Sequence, residues 1–177
     1  AFLGRPIATV KDDVEFWFKA GYDYVGLPLS CYFGKALREF QGKERLRVGK
    51  SNYSVYNKDV QEMTWASEGK GVVTTWEEFE KFPWPGGKIS YLNFEEANSC
   101  LPNGMKIIAR TGDIFTFTWE MMGFEQFSFA LVENPDLIEA IFNKIGNFIY
   151  SSFEGVMNQP NLGALWYSDD IAYTEGL

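Results

Sequence analysis

Two adjacent carboxylates, Asp169 and Asp170, end the apolar run Ala164-Leu165-Trp166-Tyr167-Ser168. A buried parallel strand that stops on acids delivers them to the face where its loop begins. There a carboxylate can act as a catalytic base, accept hydrogen bonds from a substrate or contact a metal. One of the pair can equally cap a following helix while the other is solvated, and the spacing leaves both readings open. Asp113 repeats the pattern: it follows Gly112 after the apolar stretch Met105-Lys106-Ile107-Ile108-Ala109-Arg110, with an ordinary loop residue as the alternative. Arg110, at the end of that stretch, can grip a substrate carboxylate through two parallel N–H donors or form a salt bridge. Trp119, with Glu120 and Met122 nearby, offers a ring for stacking on a flat or apolar ligand, against plain packing on a helix face. Trp166 and Tyr167 alternate in direction, so only one of them can point into a site.

Composition narrows the chemistry. The 177 residues include no histidine, which removes the usual general base, the Ser-His and Cys-His nucleophile systems and the commonest zinc ligand. Carboxylates, Tyr, Lys and Arg are left. Cys31 and Cys100 stand far apart with no CxxC spacing, so neither a disulfide framework nor a structural zinc site is expected. With 16 basic and 24 acidic residues the net charge is -8, which repels a phosphate backbone and argues against nucleic acid as a partner. No run approaches the roughly 18–20 consecutive apolar residues of a membrane span, and no signal peptide opens the chain, so no membrane partner and a cytoplasmic setting are expected. At 46% hydrophobic and 18% aromatic the chain can build a real core, and its aromatic excess suits either that core or an apolar pocket for a small molecule.

The elements that must position these residues follow from periodicity. Val14, Trp17 and Phe18 recur at helical spacing over 12–20, and Gly21 stands where a helix ends. Residues 22–29 then read as a first apolar strand, stopped by Pro28. From 46 to 75 alternating residues punctuated by Gly and Asn suggest an antiparallel hairpin or meander inserted after that strand. A short helix over 76–82 precedes Pro83, Pro85 and Gly86-Gly87. Asn93 can cap a helix beginning at Phe94, and a second strand covers 105–110. Residues 115–132 are helix-compatible with a break at Gly123. Asn134-Pro135-Asp136 opens a long helix whose core stripe is Leu137, Ile138, Ile141, Phe142, Ile145, Ile149 and Phe153. The last strand runs toward Asp169. Strands separated by helices call for right-handed parallel crossovers, hence α/β. The lack of a Gly-x-Gly-x-x-Gly or GxxxxGK[ST] loop favours a barrel over a nucleotide-binding open sheet.

Three stretches together resemble the uroporphyrinogen decarboxylase superfamily, which includes methyltransferases acting between corrinoid proteins and thiols. They are Met122-Gly123-Phe124-Glu125-Gln126-Phe127, Glu133-Asn134-Pro135-Asp136-Leu137-Ile138 and Ser168-Asp169-Asp170-Ile171-Ala172-Tyr173; 16–25 is similar to the family's first helix and strand. The resemblance implies a (β/α)8 TIM barrel of which 1–177 forms a single incomplete domain, the N-terminal half, with an antiparallel β insertion at about 46–75. It also implies Asp169 and Asp170 as catalytic groups, with Asp113, Arg110, Trp119, Tyr167 and Tyr173 as substrate contacts. The family's substrate-gripping Arg-rich motif is absent, and Val25-Gly26-Leu27-Pro28 stands where decarboxylases carry an aspartate; Trp119 replaces a family tyrosine. The resemblance therefore implies a corrinoid or thiol methyltransferase, with zinc ligands in a C-terminal half outside these residues and a corrinoid protein as partner. A porphyrinogen decarboxylase is the alternative. A third reading is a non-catalytic half-barrel interaction module whose open edge makes it self-associate.

Overall fold

Helix α1, Val10–Lys19, starts where Thr9 and Asp12 cap each other. The Thr9 hydroxyl accepts the Asp12 N–H at 3.2 Å, and the Asp12 carboxylate accepts the N–H groups of Ala8 and Thr9 at 3.1 and 3.0 Å. Those donors, Ala8 foremost, hold the Asp12 carboxyl down at about 2. The helix ends at Gly21, φ +87°, with Tyr22 N–H donating to Trp17 O and Gly21 N–H to Phe18 O, a pairing that needs the left-handed region glycine enters freely. The computed structural model describes residues 3–29, 46–51, 61–66, 71–84 and 89–171, and only the backbone of 46–51 and 61–66.

The chain packs as two compact units, one drawn from Ala1–Tyr32, Gly86–Asp113 and Gly146–Asp170, the other from Phe33–Pro85, Ile114–Ile145 and Ile171–Leu177. The first unit holds α1, strand β1 (Tyr24–Pro28), helix α3 (Leu92–Cys100), strand β4 (Lys106–Gly112) and strand β5 (Leu162–Ser168). Its sheet has the order β1-β4-β5, and both pairings are parallel. Tyr24 lies opposite Lys106 and Pro28 opposite Arg110; on the other side Ile108 faces Ala164 and Gly112 faces Ser168. Val25, Leu27, Ile107 and Ala109 alternate onto one sheet face and form a core cluster with Val14 of α1 and Phe94 and Ala97 of α3. Val156, from the last turn of a long helix, joins the same cluster.

The second unit holds strands β2 (Leu46–Ser51) and β3 (Gln61–Ala66), helices α2 (Trp76–Lys81), α4 (Ile114–Met122) and α5 (Phe124–Glu133), and the first half of α6 (Pro135–Val156). Thr75 caps α2 through its hydroxyl. Gly123, φ +80°, separates α4 from α5, the break expected from sequence. Pro135 occupies the first turn of α6, where its missing N–H costs nothing. Leu137, Ile138, Ile141, Ile145 and Ile149 are all buried along the stripe that their spacing defines.

The expected partial (β/α)8 TIM barrel with an antiparallel insertion is corrected here. Barrel closure gives every strand two neighbours, whereas β1 and β5 each pair only with β4 among the described residues, leaving a three-stranded, all-parallel, open sheet. The β2–β3 ribbon is a separate two-stranded antiparallel sheet, not an insertion continuing the main sheet. Nor does Asn93 cap α3: Tyr91 holds that position without a side-chain bond, and Asn93 sits inside the helix.

Candidate functional site

The carboxyl ends of β4 and β5 meet unusually closely. A Cβ built on Gly112 would lie 1.8 Å from the carbonyl oxygen of Ser168, so only glycine lets the two backbones meet at this point. The next residue turns on the same oxygen, with Asp113 N–H donating to Ser168 O at 2.8 Å. Asp113 is one of two non-glycine residues with positive φ among those described, at +73°. Aspartate is among the few residue types that visit this region, at a cost of about 1 kcal/mol. The turn brings Asp113 to the end of β4 beside Asp169 at the end of β5.

The two carboxyls are held differently. Burial, and then the negative charge of Asp169, push the Asp113 carboxyl above its ordinary value. Asp169 is anchored by donors: Tyr167 donates its hydroxyl to Oδ2 at 2.8 Å, and the Asp170 N–H donates to Oδ1 at 3.0 Å. These bonds favour a charged acceptor, while Asp113 sits where a bound proton is favoured. Neighbouring carboxyls in such different surroundings are suited to moving a proton to and from a substrate.

Four of the residues singled out from sequence therefore converge, namely Asp113, Tyr167, Asp169 and Asp170, and Asp170 participates through its backbone. Arg110 belongs to the same sheet but lies earlier on β4. Its guanidinium arm crosses β1 at Gly26, where an added Cβ would come within 3.0 Å of Nε. Trp166 is its register neighbour on β5 and is 53% exposed. Trp119 belongs to the other compact unit, packed edge-on against Phe124 with ring centroids 5.9 Å apart. Tyr173 lies outside the described residues.

Sequence reasoning missed Asn93 as a polar group at the end of β1. Its Nδ2 donates to Pro28 O at 2.8 Å, and its Oδ1 is buried without a partner. An Asn beside an apolar helix face was the available signal, and the capping preference of Asn obscured it. Among the described residues no three His, Cys, Asp or Glu side chains stand together as a metal site requires. No described helix is long and apolar enough to cross a membrane. Against models of known protein families, curated proteins and solved structures, the chain has no match.

Proposed function

We propose that this chain carries a carboxylate proton-transfer site for a small molecule, in a cytoplasmic enzyme related to the uroporphyrinogen decarboxylase superfamily that methylates a thiol from a corrinoid protein. The observation that carries this reading is Asp113, raised by burial and by Asp169, beside an Asp169 fixed by two donors at the ends of adjacent parallel strands. In open parallel sheets, as in barrels, ligands bind at the carboxyl ends of the strands. A thiol that takes up a methyl group must lose its proton, and Asp169 is the acceptor ready for it.

Porphyrinogen decarboxylation is the second reading, favoured by the burial that shifts Asp113 toward its acid form, the form that protonating a pyrrole carbon needs. The absence of a carboxylate from Val25-Gly26-Leu27-Pro28 weighs against it. The non-catalytic, self-associating reading rests on β5, where Leu165, Trp166 and Tyr167 are all exposed.

The test is methyl transfer from methylcobalamin to a small thiol, followed by visible absorbance. Asp113→Asn and Asp169→Asn each lower the rate by about 10²–10⁴-fold. An unchanged rate in either variant overturns the proposal, as does carbon dioxide release from a carboxylated porphyrinogen without methyl transfer.

A further inference from the structure

At the opposite end of β1 from the carboxylate pair, the turns after α1 and before β4 border an open cavity of about 330 Å³, lined by Phe18, Gly21, Tyr22, Asp23, Asn103, Gly104 and Met105. We infer that this cavity binds a small organic cation of the alkylammonium class, between the rings of Phe18 and Tyr22 and the carboxylate of Asp23.

The lining defines the ligand. Met105 is buried, while Phe18 and Tyr22 are 54% and 44% exposed. Tyr22 is braced edge-on by Trp17 and Tyr24, at centroid distances of 4.8 and 5.5 Å, so its position is set before anything binds. Gly21 and Gly104, φ +87° and +86°, have nothing within 4 Å of an added Cβ and keep the rim open.

Asp23 is the one charged residue in this lining and stands beside two aromatic residues, Phe18 and Tyr22. The nearby cation Lys19 is engaged elsewhere, paired with Glu15 at 2.7 Å. A ring face and a carboxylate both attract positive charge, and an alkylated ammonium sheds its water more cheaply than a bare one. The volume lies at the small end of ligand sites, which limits the guest to one compact group.

The experiment titrates the full chain with choline, and in parallel with its uncharged isostere in which carbon replaces the quaternary nitrogen, following backbone amide shifts. Choline is expected to shift Gly21, Tyr22 and Gly104 saturably while the isostere binds more weakly. Asp23→Asn weakens choline about fivefold, and Phe18→Ala about two- to fivefold. Both side chains are exposed, so the variants fold; far-UV circular dichroism checks that. Equal binding of the isostere, unchanged affinity in Asp23→Asn, or no shift at those amides in the unmodified chain overturns the inference.

Discussion

Replacing Gly112 with alanine tests whether the close approach of β4 and β5 builds the carboxylate pair. The new methyl group would meet Ser168 backbone atoms, the oxygen at 1.8 Å and the carbon and nitrogen at 2.8 Å. None of these is the end of a flexible side chain, so the strands must part. Forcing a methyl group into packed backbone costs about 1–3 kcal/mol. Separation also breaks the 2.8 Å bond from Asp113 N–H to Ser168 O, at about 1 kcal/mol more. The expected loss is about 2–4 kcal/mol, which at a urea slope of about 2 kcal/mol/M lowers the midpoint by about 1–2 M. Amide exchange should speed up at Asp113 and along β5 while α5, in the other unit, keeps its protection. Gly104→Ala is the contrast, because its Cβ meets nothing and only the left-handed φ of +86° is penalised, by about 1–2 kcal/mol. A Gly112→Ala protein with a midpoint within about 0.3 M of the parent and an unchanged Asp113 amide would refute the reasoning.

Phe94→Ala removes a ring with no exposed surface from the centre of the first unit's core, and should cost about 3–5 kcal/mol in urea unfolding; a loss under about 1 kcal/mol would mean that the cluster is not the unit's core. Asp113→Asn should make stability less dependent on pH. Because the folded carboxyl is raised, the parent is favoured below the unfolded value of 3.8 and loses stability as pH climbs through the folded value. The variant should therefore melt higher than the parent at pH 7 and close to it at pH 3, and the reverse order in a thermal scan would show that Asp113 is stabilised as an anion.

The helices were legible because their signals are local. The i, i+3, i+4 recurrence along α6, Pro135 at its start, Gly21 and Gly123 at helix ends and Thr75 before α2 each act within a turn of where they stand. The strands and their carboxyl ends were legible for the same reason, and with them Asp113, Asp169 and Asp170. The role of Asn93 was not. Its preference for capping is a local tendency, and a donor contact to Pro28 at a sequence separation of 65 residues overrode it.

Sequence alone determined which segments are helices and strands, that the long crossovers make the main sheet parallel, and that carboxylates stand at strand ends. Only the tertiary structure decided that the sheet stays open at three strands, because closure depends on how many strands find two neighbours and not on the pattern within any one. It alone also decided that the two carboxyls differ: the bonds from Tyr167 and Asp170 to Asp169 are local to the end of β5, whereas the burial and the Asp169 charge that raise Asp113 act only once β4 and β5 lie side by side.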